Sequence, residues 1–194
     1  MENRNVKGDL FVVSAPSGAG KTTLCGMLRR RFPDLVYSVS YTTRAPRKGE
    51  QNGVDYHFID TDTFLSMRNE QQWAEWAEVH GHYYGTAAAP VQAAVNAGKD
   101  VLLDIDVQGA MQILERFPDA VTIFIAPPSM AVLQKRLAER GTDAPQTIAA
   151  RMRNAAAEMA YRHRYDYVVI NDRLETAADQ LAGIVAGKRR EAQG

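Results

Sequence analysis

Lys21 and Thr22 follow Gly20 near the end of the run Ser14-Ala15-Pro16-Ser17-Gly18-Ala19-Gly20-Lys21-Thr22-Thr23, in the register of a phosphate-binding loop. A glycine-bearing backbone curls so that its N–H groups converge on a polyphosphate. The N-terminus of a following helix adds positive potential, the lysine reaches the outer phosphates, and the hydroxyl can serve a divalent cation. The pattern opens on glycine, whereas Ala15 stands at that place here. A methyl fits there if the residue keeps a negative φ. A Gly-rich turn that merely joined strand to helix would leave the register of Lys21 and Thr22 unexplained. The run therefore implies binding of a nucleoside triphosphate by Ala15, Pro16, Ser17, Gly18, Ala19, Gly20, Lys21, Thr22 and Thr23.

Asp104 is a second candidate. It ends the apolar run Val101-Leu102-Leu103, at the strand terminus where parallel α/β sheets present their active sites. A carboxylate there can hold magnesium opposite the Thr22 hydroxyl. It can equally cap the helix expected from Gln108, a task that Asp106 is also placed to perform. His57, His80, His82 and His163 show no metal-ligand spacing with any cysteine, and none is needed as a catalyst.

The elements that must carry these residues follow from hydrophobic runs. Leu10–Ser14, Val101–Ile105, Val121–Ala126 and Tyr167–Ile170 are short, rich in Val and Ile, and lack alternation, as in central strands covered on both faces. Leu35–Ser40 is a possible fifth. Helical patterns run through Thr22–Phe32, Pro90–Asn96, Gln108–Phe117, Met130–Arg140, Gln146–Arg164 and Leu174–Arg190. Strand and helix alternate, so the expected core is a doubly wound, parallel, five-stranded α/β sheet with right-handed crossovers. Residues 41–85, rich in Thr, Tyr, Gly and charge, carry no strong buried-strand signal. They are too long for a βα connection and are expected to form a lobe of their own. Ser129–Ala144, entered through Pro127-Pro128, reads as a short basic flap.

At 194 residues the chain suits one domain with a well-filled core. Lys and Arg together number 23, as do Asp and Glu, so no global field favours nucleic acid or an anionic membrane. Phosphate chemistry must then rely on locally grouped cations. Cys25 is the single cysteine, which excludes a disulfide framework and a multi-cysteine zinc site, and it reads as a small buried apolar residue. No apolar stretch approaches the ~20 residues of a membrane span, and Met1–Lys7 is unlike a signal peptide. A soluble cytoplasmic protein is expected.

Ser40-Tyr41-Thr42-Thr43-Arg44-Ala45-Pro46-Arg47-Lys48-Gly49-Glu50 resembles the run that opens the second lobe of the guanylate kinases. The likeness continues through Gly53-Val54-Asp55-Tyr56-His57-Phe58, Glu75-Trp76-Ala77, Tyr83-Tyr84-Gly85-Thr86 and Leu103-Asp104-Ile105-Asp106-Val107-Gln108-Gly109. It extends to Phe124–Ser129, Arg136-Leu137 with Arg140-Gly141, and Val169-Ile170-Asn171-Asp172. The resemblance covers about Gly8 to Arg190. It implies a P-loop kinase core (8–39, 87–128 and 145–190) with an inserted GMP-binding lobe (40–86) and a lid (129–144). It implies transfer of phosphate from ATP to GMP with magnesium, within purine nucleotide metabolism. By position it implies that Ser40, Arg44, Arg47, Tyr56 and Tyr84 surround the GMP phosphate, that Glu50 belongs to the GMP site, and that Glu75, Thr86 and Asp106 surround guanine. Thr22 and Asp104 fall on the magnesium side, Asn171 joins the ATP site, and Arg136, Arg140 and Arg151 join Lys21 and Arg44 around the transferring group. Two positions depart from the pattern: His82 stands where Asn is common, and Arg173 where a second acid is frequent.

Physical chemistry supports these roles separately. A nucleoside monophosphate carries about two negative charges, which paired guanidiniums bind with forked hydrogen bonds. Pro46 stiffens the link between Arg44 and Arg47. Guanine offers N1–H and an exocyclic amine on one edge, which a single carboxylate can accept together. The competing readings are a solvated basic turn for Arg44, Arg47 and Lys48, and a surface glutamate on a helix with Trp73 and Trp76 for Glu75. Two other functions share these features: a non-catalytic guanylate-kinase-like binding module, and a P-loop kinase acting on a sugar phosphate. The first commonly loses the phosphate loop, and the second has no use for Glu75 and Tyr84. Oligomeric state is not legible.

Overall fold

The computed structural model describes residues 7–79, 81–139 and 145–191. In chain order the elements begin with β1 (Leu10–Ser14), α1 (Lys21–Arg31), β2 (Val36–Tyr37), β3 (Tyr41–Thr42) and β4 (His57–Phe58). There follow α2 (Thr61–Asn69), β5 (Trp73–Val79), β6 (His82–Ala87), α3 (Ala88–Asn96), β7 (Val101–Asp104) and α4 (Val107–Arg116). The chain continues through β8 (Val121–Ala126), α5 (Met130–Glu139), α6 (Pro145–Ala160), a 3₁₀ turn (Tyr161–Arg164), β9 (Tyr167–Ile170) and α7 (Leu174–Glu191). Five strands form a parallel sheet of order β2-β7-β1-β8-β9, as expected of an α/β core. A smaller sheet has the order β4-β3-β6-β5.

Unbroken apolar runs become buried strands. All residues of β1 and β8 are buried, because a strand covered on both faces has no side on which a polar residue is free of cost. Tyr167–Ile170, expected to be equally central, lies at the sheet edge: Val169 is buried but Val168 and Ile170 are 44% and 47% exposed. Only one face of β9 is covered, and an apolar sequence does not reveal which. Leu35–Ser40 contributes only the two residues of β2, at the other edge.

The larger correction concerns residues 41–85. They supply a four-stranded sheet and α2, although no strand signal marked them. β3 and β4 hold two residues each, too few for alternation to register. Trp73 and Trp76 do not share a helix; they lie on β5, antiparallel to β6. Their i, i+3 spacing imitates a helical period because the register shifts between Trp73 and Glu75. That bulge leaves Trp73, Ala74 and Glu75 consecutively buried, which breaks the period of two.

The described residues divide between two compact units. The first takes those within Met1–Leu10, Asp34–Leu103 and Gln108–Ala120. Its small sheet is anchored by Phe64, which stacks on Trp73 at 4.4 Å and Tyr83 at 5.2 Å, each pair adding about 0.5–1.5 kcal/mol beyond area burial. Gln112 on α4 binds β5 like an added strand. The Trp76 N–H donates to Gln112 Oε1 at 3.1 Å, and Gln112 Nε2 donates to the Trp76 carbonyl at 2.8 Å. The second unit takes the residues within Phe11–Pro33, Asp104–Val107 and Val121–Gly194. There Leu133 and Leu137 of α5 pack on Ala155 of α6, with Met130, Ile148 and Met152 completing the cluster.

Candidate functional site

In the second unit β1 delivers the chain into the phosphate loop, where Gly18 and Gly20 adopt φ of 94° and 98°. A side chain at Gly20 is doubly opposed, by this backbone and by collision with Asn171 Nδ2. Among the described residues the only non-glycine with positive φ is Gln71, so Ala15 keeps the negative φ that tolerates its methyl. No side chain caps α1, and no acid occupies its first turn. Its leading N–H groups and dipole are thus left for an anion. Lys21 Nζ donates to the Ile105 carbonyl at 3.1 Å and pairs with the Asp104 carboxylate. Asp104 is therefore the lysine's partner rather than a helix cap; Asp106 is the residue that immediately precedes α4. Thr22 and Thr23 are exposed at the start of α1. The Thr22 hydroxyl and Asp104 carboxylate are hard oxygen donors of the kind magnesium takes in small number beside water and phosphate. Among the described residues no group of three or more His, Cys, Asp or Glu could hold a metal by itself.

Asn171 performs a task that its sequence position did not announce. Its Nδ2 donates to the Ala19 carbonyl at 2.7 Å and its N–H donates to Ala126 at 2.8 Å, tying the phosphate loop to the end of β8. Arg136 Nη2 donates to the Asn171 carbonyl at 2.9 Å, so this guanidinium rests on the end of β9. A cavity of about 430 Å³ is lined by Gly18, Gly20, Thr23, Arg136 and Asn171, among others, within the range of nucleotide-sized sites. Arg151 sits half-buried on α6. Arg140 and the rest of the segment 140–144 lie outside the described residues. Cys25 is buried, and burial raises its thiol pKa, in keeping with an inert packing residue.

Glu158 of α6 was missed. Burial, reinforced by Asp106, raises its carboxyl pKa to about 7, while Lys21 and the Ser17 N–H pull it down. A carboxylate faces the phosphate loop from the helix behind it. The available signal was a lone acid within Ala155-Ala156-Ala157-Glu158-Met159-Ala160. Nearby, burial pushes Tyr165 up to about 12.

In the first unit the small sheet gathers several of the expected residues. Arg44 follows β3, and its guanidinium lies 5.5 Å from the centre of the Tyr56 ring and 5.9 Å from that of Phe58. Tyr56 and Tyr84 meet edge to face at 6.0 Å. Glu50 grips Arg44 with both oxygens, at 3.0 and 2.9 Å. Arg44 is held further above its ordinary pKa by that bond and by Tyr84, while burial opposes; Glu50 is held below its own, first by Arg44. The Arg47 side chain is exposed, and its backbone N–H donates to Glu50 at 2.7 Å. Ser40 is half-buried, its carbonyl accepting the His57 N–H at 2.9 Å.

Glu75 on β5 is only 4% exposed and accepts the Thr86 hydroxyl of β6 at 2.6 Å. It is not a surface glutamate, because a buried carboxylate demands a donor and the β5–β6 register supplies one. Asp106, expected beside this pair, belongs to the second unit, where its carbonyl accepts the Ser14 hydroxyl at 3.3 Å. Among the described residues no helix is long and apolar enough to cross a membrane.

Comparison with known proteins places these arrangements. The family model described as guanylate kinase matches residues 7–188. A guanylate kinase of Dechloromonas aromatica is 52% identical over 92% of this chain and 88% of its own length. One from Sphingopyxis alaskensis is 50% identical over 95% of this chain and 84% of its own. The crystal structure of guanylate kinase from Anaplasma phagocytophilum superposes with a TM-score of 0.78 at 36% identity, covering 94% of this chain and 87% of that one. A phosphate loop with its lysine in register, an arginine–tyrosine cluster on a separate small sheet and a family match spanning nearly the whole chain agree: the chain belongs to the guanylate kinase family.

Proposed function

We propose that the protein transfers the γ-phosphoryl group of ATP to GMP, and to dGMP, giving ADP and the nucleoside diphosphate. The observation that carries this reading is the small sheet of the first unit. It holds a buried carboxylate, Glu75, on β5, and an arginine flanked by aromatic rings, Arg44, follows its β3. One suits the donor edge of guanine and the other a phosphate. A sugar-phosphate kinase has no use for the first, and a non-catalytic module has none for Lys21 and its loop.

In the proposed site Arg44, Arg47, Tyr56, Tyr84 and Ser40 bind the GMP phosphate, and Glu50 belongs to the same GMP site. Glu75, Thr86 and Asp106 select the base. The phosphate-loop N–H groups and Lys21 cradle the ATP phosphates, and Asn171 borders the same site. Arg136, Arg140 and Arg151 offset charge on the transferring group. Magnesium would supply charge neutralisation to the phosphates, and Thr22 and Asp104 are the groups that would hold it. The acceptor is a phosphate oxygen already ionised near neutral pH, so no general base is required. Catalysis then consists of positioning and charge stabilisation. The division into a core, an acceptor lobe (40–86) and a lid (129–144), a cytoplasmic location and a place in purine nucleotide metabolism belong to the same proposal.

The test is ADP release measured across GMP, dGMP, AMP, CMP, UMP and a ribose phosphate. Turnover restricted to the guanine nucleotides is expected. Turnover of the ribose phosphate would favour a sugar-phosphate kinase, and no turnover with GMP bound would favour a binding module.

A further inference from the structure

Glu50 has no feature that suits it to a nucleotide phosphate; it is an anion placed among anion-binding residues. Its side chain is instead committed within the protein. Oε1 accepts from Arg44 Nη2 at 2.9 Å, and Oε2 accepts from Arg44 Nη1 at 3.0 Å and from the Arg47 backbone at 2.7 Å. The Glu50 N–H in turn donates to the Arg47 carbonyl at 3.1 Å, closing a turn in which Gly49 has a φ of 92°. Glu50 is thus fastened by its own turn as well as by its partner.

The arginine is equally constrained. Its side chain is 12% exposed, with the Tyr56 and Phe58 rings at 5.5 and 5.9 Å from the guanidinium. A guanidinium has five N–H donors. One Nη1 hydrogen goes to Glu50, and the other to the Ala45 carbonyl at 2.7 Å. One Nη2 hydrogen goes to Glu50. The remaining donors are Nε–H, which is buried and makes no hydrogen bond, and the second Nη2 hydrogen, with the Tyr84 side chain acting on the same guanidinium. These two point along the same side of the planar group, a fork spaced for two oxygens of one phosphate.

We propose that Glu50 is a positioning residue that closes the end-on fork of Arg44 and leaves its Nε–Nη2 edge as the only face offered to the acceptor phosphate. The inference rests on the reading of this unit as the GMP site. It replaces direct contact of Glu50 with the nucleotide by action through Arg44. The arginine is held in one rotamer before substrate arrives, so less side-chain entropy is lost on binding. A carboxylate that merely filled in for absent phosphate would do the opposite, since GMP would have to displace it.

The experiment compares GMP and guanosine binding by calorimetry in the wild type, Glu50→Ala, Arg44→Ala and the double variant. Glu50→Ala should weaken GMP about 10- to 150-fold, the range for hydrogen bonds to charged groups. It should leave guanosine, which lacks the phosphate, and the KM for ATP unchanged. In the Arg44→Ala background the same substitution should add less than about twofold, because Glu50 acts through that arginine. Tighter GMP binding in Glu50→Ala would mean a displaceable stand-in, and an equal penalty in both backgrounds would mean direct contact or general disruption. Either overturns the proposal, as does an unchanged GMP affinity. Equal loss of guanosine would show collapse of the unit and likewise overturn it. Failure of the wild type to bind or phosphorylate GMP would instead remove the functional reading itself.

Discussion

Thr86→Val is the sharpest perturbation of base recognition. Valine conserves β-branching and replaces the hydroxyl with a methyl, which cannot donate and must stand farther from the Glu75 oxygen than the 2.6 Å hydroxyl does. The hydroxyl lies 2.6 Å from Glu75 Oε1, with Thr86 and Glu75 1% and 4% exposed. Water therefore cannot readily replace it. A hydrogen bond to a charged group is worth about 1.5–3 kcal/mol, and the acceptor left behind stays buried. At about 2–4 °C per kcal/mol for a chain of this size, Tm should fall by about 3–12 °C. If Glu75 accepts the guanine edge, its misorientation should lower kcat/KM for GMP by about 10- to 150-fold, with the KM for ATP unchanged. The ratio of GMP to AMP turnover should narrow as well, because a site built for donor groups discriminates through its paired acceptor. Thr86→Ser supplies the control. It keeps the hydroxyl and costs only about 1 kcal/mol for the lost methyl, so guanine preference should survive. A coupled ADP-release assay with thermal melts on all three proteins separates the effects. A Thr86→Val enzyme with lowered Tm and wild-type kcat/KM for GMP would reduce the pair to a structural contact and refute the assignment of Glu75.

Lys21→Ala should retain its fold and lose about 10²–10³ in kcat, the range for one preorganised charge; normal turnover would remove the phosphate-loop assignment. Gly20→Ala meets both a φ of 98° and Asn171 Nδ2, so it should cost more than about 1 kcal/mol by denaturant titration; an unaltered midpoint would contradict the geometry. Glu158, raised from 4.5 to about 7 chiefly by burial, contributes stability that is complete below pH 4.5 and lost as pH rises through about 7. The shift is worth about 3 kcal/mol at full burial, and partial exposure reduces it to about 1–2 kcal/mol. Glu158→Gln should therefore melt above the wild type by about 2–8 °C at pH 8, the gap shrinking toward pH 5.5; a pH-independent gap would show that the carboxylate does not titrate there. Hydrogen exchange across residues 40–86 and across α5 should slow when GMP and an inert ATP analogue bind together. Unchanged exchange in both would count against their proposed roles as acceptor lobe and lid.

Sequence alone determined whatever depends on neighbouring residues. The phosphate loop is legible because its backbone curl, its lysine and its hydroxyl lie within a few consecutive positions that no other task requires in that order. β1 and β8 are legible because burial on both faces favours apolar residues throughout, the polar Ser14 and Thr122 each making a hydrogen bond. The run from Ser40 to Glu50 carries its proposed phosphate role through resemblance to the guanylate kinases, since its local pattern equally suits a solvated basic turn. Tertiary structure decided everything that rests on partners distant in the chain. Asn171 holds Ala19 across 152 positions, Gln112 completes β5 across 36, and Lys21 finds Ile105 across 84. No local pattern encodes such pairs, because each residue is an ordinary polar side chain until the fold supplies its counterpart. Glu75 shows both limits. Its i, i+3 tryptophans suggested a helix, and its charge suggested the surface. Only the bulged pairing of β5 with β6 turns it inward and sets Thr86 against it. Register is fixed by the whole sheet, and a one-residue shift would have sent that carboxylate to water.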